Sequence, residues 1–275
     1  MQCNTFDPTR GRLLAVGDIH GYLDKLRQLL EDQVQPTTDD RVVFLGDYID
    51  RGPDSKGVVS YLINFAQQFP KSIFLRGNHE QMLLDTDLIN SYQNIGDMPR
   101  DLLKVVEQRC ETIGCRLRQM ENVFIGNGGD KTIVSYLPEL ADQPRCSIDY
   151  HPDLLPQDHR TFLQATQLMH LEQIQGMRYL FVHAGIYPKY KLERQDYDDL
   201  LWIRDLFLKN LDYLPDDLVV IHGHTPAKEL TMQSFGGRRF HQRHIMLDSG
   251  VHLPEKEGMG KLSCCDLLAR TFWQV

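Results

Sequence analysis

The sequence lacks long hydrophobic runs and any marked excess of positive charge. No apolar stretch approaches the about 18 residues of a transmembrane helix, so none is predicted. Positions 1–12 are polar and lack the apolar core of a signal peptide. The formal net charge of −8 argues against a broad nucleic-acid-binding surface, which needs clustered Lys and Arg. We therefore expect a cytoplasmic protein that binds neither membranes nor nucleic acids.

Cysteine is also scarce: the chain has six, and none are arranged in the repeated pairs of a zinc site. The adjacent Cys264 and Cys265 leave two interpretations, a redox switch or small apolar residues in a late strand, and the second is favoured. The sequence also lacks a Pro/Gly/Ser-rich linker and internal repeats. This favours a single domain over residues 1–275.

What the chain does contain is a series of polar motifs, each placed after a short apolar run. Runs such as Leu13 to Val16 and Val42 to Leu45 are typical of buried strands. The motifs are Gly17-Asp18-Ile19-His20-Gly21, Gly46-Asp47-Tyr48-Ile49-Asp50-Arg51-Gly52, Arg76-Gly77-Asn78-His79-Glu80, His183-Ala184-Gly185 and His222-Gly223-His224-Thr225. Because ligand sites of open α/β folds lie at the carboxyl ends of the strands, these motifs should converge on one pocket.

The order of elements predicts an α/β fold with an insertion. Strand, motif and helix alternate over the first 80 positions, and the strand pattern returns from Tyr179 to late strands at 245–247 and 262–268. Residues 81–177 are predicted to form a helical insert beside the pocket. Helical patterns within it fall near 83–89, 102–106 and 162–169, with a Gly-rich turn at 126–129.

The first three motifs contain residues suited to holding a metal. Asp18 and His20 are two positions apart, so at a strand end both side chains can reach one cation. Asp47 follows the second strand, and its carboxylate has two oxygens that can serve two cations at once, which an imidazole cannot do.

The later motifs supply nitrogen ligands. Asn78, His183 and His224 would complete the shell of a second metal, and His222 is a rival candidate for the last position. Mixed oxygen and nitrogen ligation suits Mn, Fe or Zn and not calcium.

The motifs Gly-Asp-x-His-Gly, Gly-Asp-x-x-Asp-Arg-Gly and Gly-Asn-His-Glu resemble the signature of the phosphoprotein phosphatase family of metallophosphoesterases. The pattern is most similar to the bacterial and lambda-phage branch of serine/threonine protein phosphatases, and the resemblance extends from about Leu13 to Leu268. It implies a β-sandwich flanked by helices, with a binuclear metal centre at the sheet rim.

Residue roles follow from the resemblance, motif by motif. The first metal would be held by Asp18, His20 and Asp47, and the second by Asp47, Asn78, His183 and His224. His79 matches the general acid and Asp50 the carboxylate that orients it. Arg51 and Arg204, with Asn78, match the phosphate-binding residues, and an Arg side chain can pair two phosphate oxygens at once. The family's Gly-His-Thr pattern selects His224 over His222, whose role stays open.

The remaining histidines lack a motif and are predicted to be surface or loop residues: His151, His159, His170, His241, His244 and His252.

The resemblance implies hydrolysis of a phosphomonoester by a hydroxide held between two cations, most simply manganese, with His79 protonating the leaving oxygen. A phosphorylated protein or peptide is the expected substrate. One alternative is a symmetrical dinucleoside polyphosphate hydrolase, such as a diadenosine tetraphosphate hydrolase; Asp50 and Glu80 favour the phosphatase. A catalytically dead phosphate-binding scaffold is another alternative, but no ligand residue is lost. The sequence does not indicate the oligomeric state.

Overall fold

The computed structural model describes residues 4–91, 121–151, 153–227, 243–256 and 258–275. Within these residues the strands form two five-stranded sheets. The strands in chain order are β1 (Asn4–Thr5), β2 (Leu13–Val16), β3 (Arg41–Phe44), β4 (Ile73–Phe74), β5 (Met169–Ile174), β6 (Met177–Val182), β7 (Leu218–His222), β8 (His244–Met246), β9 (Ser263–Asp266) and β10 (Thr271–Gln274). Sheet 1 has the order β1-β5-β6-β7-β8, and sheet 2 has the order β10-β9-β2-β3-β4.

The helices connect these strands or flank them. The α-helices are α1 (Leu23–Arg27), α2 (Ser55–Gln68), α3 (Asn78–Asn90), α4 (Asp130–Tyr136), α5 (Gln157–Gln164), α6 (Tyr197–Trp202) and α7 (Asp205–Leu208). Shorter helical segments are π-helical at Gln28–Val34 and Ile125–Gly129 and 3-10 at Pro138–Leu140, Arg145–Ser147, Leu192–Arg194 and Leu211–Tyr213. No helix among the described ranges is long and apolar enough to cross a lipid bilayer.

The two sheets pack face to face and are covered by helices on their outer faces. In β2, Leu13 and Ala15 face the core between the sheets, whereas Leu14 and Val16 join the core beneath the helices. Sheet 1 uses the same alternation, since Phe181 of β6 lies between the sheets and Leu180 packs outward. Because both faces are buried, strands such as β2 and β7 have continuous apolar runs rather than alternating ones. This arrangement confirms the predicted β-sandwich flanked by helices.

The central strand of sheet 2 joins distant parts of the chain. β2 pairs in parallel with β3 and antiparallel with β9, placing Leu14 opposite Asp266. The backbone N–H of Gly17, just before Asp18, donates to the carbonyl of Ser263 at 3.0 Å. Cys264 and Cys265 are free, buried thiols on β9, and they join cores on opposite faces of the sheet.

Every strand that the sequence predicts is present to within a few residues, but three strands within the described ranges escaped prediction: β1, β5 and β10. β5 lies inside the range predicted as a helical insert, and it pairs with β6 along its whole length. The helix predicted near 162–169 is α5, which ends at Gln164, before β5 begins. The helix predicted at 102–106 lies outside the described residues.

Candidate metal centre

The predicted ligand residues lie at one edge of the sandwich, just past the ends of strands in both sheets. Sheet 2 provides Asp18 after β2, Asp47 after β3 and Asn78 at the start of the helix after β4. Sheet 1 provides His183 directly after β6 and His224 just after β7. The site therefore spans the carboxyl ends of two sheets, as the positions of the motifs predict.

Asp47 stands at the centre of this group. Its Oδ2 lies 3.6 Å from His20 Nε2, and its Oδ1 lies 3.4 Å from His183 Nε2. Among the residues that the structure describes, two buried sets of side chains share Asp47 and have the proximity that a metal ion needs: His20, Asp47 and His79 on one side, and Asp47, His183 and His224 on the other. The two oxygens of one carboxylate thus face two candidate cation positions.

The imidazoles of His20 and His183 are oriented by the backbone. Nδ1 of His20 donates to the carbonyl of Ile49 at 2.9 Å, and Nδ1 of His183 donates to the carbonyl of Leu45 at 2.8 Å. A neutral imidazole that donates from Nδ1 keeps its lone pair on Nε2, which is the atom facing Asp47. His183 Nε2 also lies 2.9 Å from Asn78 Oδ1, so two lone-pair atoms face each other. Such a pair of acceptors fits a shared cation.

His224 gives the clearest test of whether a metal fits. Its Nε2 is buried and has no hydrogen-bond partner among the residues described. Burial lowers the pKa of His224 to about 2, so the imidazole is neutral and its lone pair is available. A buried polar atom without a partner is unfavourable in a folded protein. A divalent cation would satisfy this nitrogen, so the residues present fit a metal centre.

The carboxylates of the site are crowded and buried. Burial, followed by the negative charges of Asp248 and Asp47, raises the pKa of Asp18 well above its ordinary value. Burial likewise raises the pKa of Asp248 to about 6. Asp18 accepts hydrogen bonds from the backbone N–H of His224, at 3.0 Å to Oδ2. Bound cations would relieve the repulsion among these three carboxylates.

The predicted acid and its partner form a buried pair beside Asp47. His79 Nδ1 lies 2.6 Å from Asp50 Oδ2, and Asp50 has no exposed surface. His79 Nε2 points toward the ligands, 3.8 Å from Asp47 Oδ2. Burial alone would lower the pKa of His79, but the Asp47 and Asp50 carboxylates raise it above its ordinary value. His79 is therefore the third member of the buried set that contains His20 and Asp47, whereas the sequence analysis placed Asp18 with those two residues.

The two predicted phosphate-binding arginines differ in exposure. Arg51 is half-buried, and its guanidinium lies 3.1 Å from Nε2 of both His20 and His79. Arg204 is exposed and donates to Thr225 Oγ1 at 3.3 Å. The positive charges of both arginines act on buried Asp248, so both lie near the acidic part of the site.

The backbone around the site is strained. His20, Asp47, Asp50, Arg51 and His224 all have positive φ angles, between 47° and 73°. Residues with side chains rarely adopt this left-handed conformation, and each instance costs on the order of 1 kcal/mol. Such strain is typical of functional sites, where the surrounding structure holds side chains in an otherwise unfavourable geometry.

Glycines make room for two of the carboxylates. A Cβ on Gly77 would come within 2.1 Å of Asp47 Oδ1, and a Cβ on Gly223 within 2.0 Å of Asp18 Oδ1. Both contacts are impossible, so these positions require glycine for the carboxylates to sit where they do.

His222 and His224 face different surroundings. His222 is fully buried in β7, its ring packs 5.1 Å from the ring of Phe207, and its Nε2 lies 3.4 Å from His244 Nδ1. His224 instead lies beside His183 and Asp47.

The prediction of surface or loop positions was wrong for several other histidines. His159 is buried in α5 and contacts Ser60 and Tyr136, while His170 is buried in β5 beside Glu172. His244 lies in β8, His151 is exposed, and His241 lies outside the described residues.

His252 belongs to the site although the sequence interpretation left it out. Its Nε2 lies 3.0 Å from Arg51 Nη1, and its ring packs against that of His20 with centroids 4.9 Å apart. Asp248 and His252 both follow β8, so they repeat the arrangement of strand and polar motif seen elsewhere in the chain. Polar residues just past a strand were therefore the sequence signal by which Asp248 and His252 could have been recognised.

Comparison with known proteins agrees with this geometry. The profile of the calcineurin-like phosphoesterase family matches residues 11–252, and the chain belongs to that family. Enzymes of this family are hydrolases with a dinuclear centre of divalent metals, consistent with the two sets of side chains around Asp47 that could hold a metal ion.

A curated relative is a serine/threonine-protein phosphatase, PP2A-like PPG1, of Candida albicans, 36% identical over 90 residues. That match covers 30% of this chain and 21% of the relative, so it spans only a minor part of the relative's length.

Two solved structures show the same fold over nearly the whole chain. A putative diadenosine tetraphosphatase is 20% identical, with a TM-score of 0.58 over 99% of this chain and 96% of that one. A cold-active protein tyrosine phosphatase is 17% identical, with a TM-score of 0.56 over 100% of this chain and 80% of that one. At these identities the likeness concerns the fold alone.

Proposed function

We propose that this chain is a metal-dependent serine/threonine protein phosphatase that hydrolyses phosphomonoesters. The observation that carries the proposal is the pair of His79 and Asp50, joined at 2.6 Å and placed beside the central Asp47. A serine or threonine alkoxide is a strongly basic leaving group, so its departure benefits from a positioned acid. The phosphatase name of the Candida albicans relative supports the same choice.

One group of residues around the centre would bind the metals. His20, Asp47, Asn78, His183 and His224, with Asp18, would hold two divalent cations. The mixed oxygen and nitrogen donors suit manganese, iron or zinc, and we favour manganese. When bound, the cations supply Lewis-acid activation of water and of the phosphoryl oxygens.

The remaining groups act on the substrate directly. Arg51 and Arg204 would bind phosphoryl oxygens and stabilise the negative charge that develops there. His79 would hold a proton at Nε2 and deliver it to the leaving oxygen, while Asp50 keeps Nδ1 protonated and fixes the direction of the ring.

The rival substrate class is a dinucleoside polyphosphate, because one structure with this fold is named a putative diadenosine tetraphosphatase. In such a substrate the leaving group is a nucleotide phosphate, which is much less basic than an alkoxide and gains less from an acid. The Asp50–His79 pair therefore favours the phosphomonoester.

A side-by-side kinetic comparison tests the proposal. With Mn²⁺ at one pH, kcat/KM for phosphoserine or phosphothreonine peptides is expected to exceed that for diadenosine tetraphosphate, with some activity on phosphotyrosine. Chelation should abolish activity, and the isosteric Asp47→Asn variant serves as the control for contaminating phosphatases. A preference for the dinucleotide above about tenfold, a barrier difference of roughly 1.4 kcal/mol, would instead assign the chain to the rival class.

A further inference from the structure

Both oxygens of the Asp50 carboxylate accept hydrogen bonds, and His79 accounts for only one of them. Its Oδ2 meets His79 Nδ1, whereas its Oδ1 accepts a hydrogen bond from Thr132 Oγ1 at 2.5 Å. Thr132 lies on α4, inside the range predicted as an insert, and it is fully buried. A residue 82 positions away in sequence thus reaches the carboxylate of the predicted acid pair.

A second hydroxyl completes the arrangement. Ser55, the first residue of α2, is also fully buried, and its Oγ lies 2.9 Å from Thr132 Oγ1. The backbone N–H of Asp50 donates to both hydroxyl oxygens at 3.0 Å. Two helices from separate parts of the chain therefore enclose Asp50.

The direction of each hydrogen bond follows from the chemistry of the groups. An ionised carboxylate only accepts, and a hydroxyl has one hydrogen to donate. Thr132 must give its hydrogen to Asp50 Oδ1, so it cannot also donate to Ser55. Ser55 therefore donates to Thr132. The hydrogen bonds run from Ser55 to Thr132 to Asp50, and from His79 to the other oxygen of Asp50.

We propose that Thr132 is a positioning residue for the general acid, acting through Asp50, with Ser55 fixing Thr132. A single hydrogen bond to His79 leaves the carboxylate free to rotate about its Cβ–Cγ bond, whereas a second bond on the opposite oxygen fixes its plane. A fixed Asp50 holds the ring of His79 in one tautomer and one direction. The inference rests on the proposed role of His79 as the acid.

The same segment also supports Arg51. The carbonyl of Gly128 accepts the backbone N–H of Arg51 at 3.2 Å. Gly128 has a φ of +105°, and a Cβ there would come within 2.8 Å of Arg51 Cγ. Residues 128–132 therefore contact both the acid pair and a predicted phosphate-binding residue. This part of the insert therefore supports residues of the proposed catalytic site and does not merely lie beside the pocket.

The test compares two leaving groups in a set of variants. Thr132→Val replaces the hydroxyl by a methyl group of similar size, and Thr132→Ser keeps the hydroxyl. Ser135→Ala is the matched control, because Ser135 lies on the same helix and bonds to the backbone of Lys56 and Thr132 but not to Asp50. The substrates are a phosphoserine peptide and p-nitrophenyl phosphate, whose acidic phenol leaves without much help. His79→Asn is measured in parallel.

Thr132→Val is expected to lower kcat for the phosphoserine peptide by about 10- to 100-fold, part of the 10²–10⁴-fold contribution of a general acid. Its kcat for p-nitrophenyl phosphate should fall by less than about threefold, since that reaction depends little on the acid. KM should change little for either substrate because no phosphate-binding group is altered. Thr132→Ser should restore most of the activity, and Ser135→Ala should match the wild type.

The outcomes separate this inference from the function it rests on. A selective loss in His79→Asn together with a uniform loss, or none, in Thr132→Val overturns the positioning role alone. Equal losses on both substrates in His79→Asn overturn the acid role and the positioning role together. If thermal melting shows that Thr132→Val does not fold, Ser55→Ala is used instead. A smaller loss confined to the phosphoserine peptide supports the inference, and a uniform loss contradicts it.

Discussion

At the scale of single residues, the lack of a side chain at Gly223 leaves room for the carboxylate of Asp18. Gly223→Ala would place a Cβ within 2.0 Å of Asp18 Oδ1, so the carboxylate must move away from the N–H of His224. We expect Mn²⁺ affinity to fall by about 10- to 100-fold, the range seen when groups that orient ligands are disturbed. Isothermal titration calorimetry with Mn²⁺ measures this directly. Gly126→Ala, where no atom lies within 4 Å of the added carbon, should bind as the wild type does; equal affinities for the two variants would contradict the steric account.

The sequence allowed the site to be predicted where the residue type is itself a metal ligand or an acid. Asp47 and His183 are recognisable because a carboxylate or imidazole just past a buried strand has few structural uses. His252 and Thr132 were not recognised as parts of the site. A histidine in a loop and a threonine in a helix are ordinary in isolation, and their contacts with Arg51 and Asp50 exist only after the chain has folded.

At the scale of elements, the first turn of α3 holds the loop that follows β3. Glu80 is fully buried, and its two oxygens accept backbone N–H groups from Asp47 and Tyr48, both at 2.8 Å, and from Gly77 at 2.9 Å. The sequence interpretation used Glu80 as a marker of substrate class. Its contacts are with the backbone, so it shapes the loop that presents Asp47 and Asp50.

Glu80→Gln should therefore destabilise the fold. An amide NH₂ would face one pair of backbone donors and leave them without an acceptor. We expect the free energy of unfolding to fall by about 2 kcal/mol, since each buried donor left without an acceptor costs roughly 1–3 kcal/mol. Urea denaturation measures the change. Glu139→Gln, at an exposed position, should stay within about 0.5 kcal/mol of the wild type; a similar result for Glu80→Gln would mean that the loop does not depend on this side chain.

Strands buried on both faces were predicted well because their apolar runs are continuous, as in β2 and β7. β5 was missed for the opposite reason: His170 and Glu172 interrupt its sequence, yet both are buried. Their burial is compensated because His170 bonds to Glu172, and Glu172 in turn bonds to Arg41, a residue of another strand. No local pattern contains that information.

At the scale of the whole molecule, the ion pair of Arg41 and Glu172 links the two sheets. Arg41 begins β3 of sheet 2, and Glu172 lies on β5 of sheet 1, with Arg41 Nη1 and Glu172 Oε1 2.5 Å apart. Glu172→Gln leaves the Arg41 charge without its partner, and we expect the free energy of unfolding to fall by about 3 kcal/mol. Urea denaturation measures the change.

The matched control for that experiment removes both charges. The double variant Arg41→Met with Glu172→Leu leaves no unpaired ion and should recover part of the lost stability, because replacing an ion pair by apolar groups is often neutral. Recovery stays incomplete because buried His170 Nε2 loses its bond to Glu172. If the single and double variants are equally unstable, packing rather than charge pairing holds the sheets together here.

The position of β2 between β3 and β9 also sets the order in which the site can be completed during synthesis. The backbone N–H of Gly17, next to Asp18, donates to the carbonyl of Ser263. β9 also pairs with the edge of β2 that β3 leaves open. A ribosome has to translate beyond residue 266 before this edge is paired. Until then the nascent chain exposes an open strand edge, which invites pairing with other chains. We therefore expect metal capture to be a late event, and chaperone binding to a stalled nascent chain to cease once β9 has emerged.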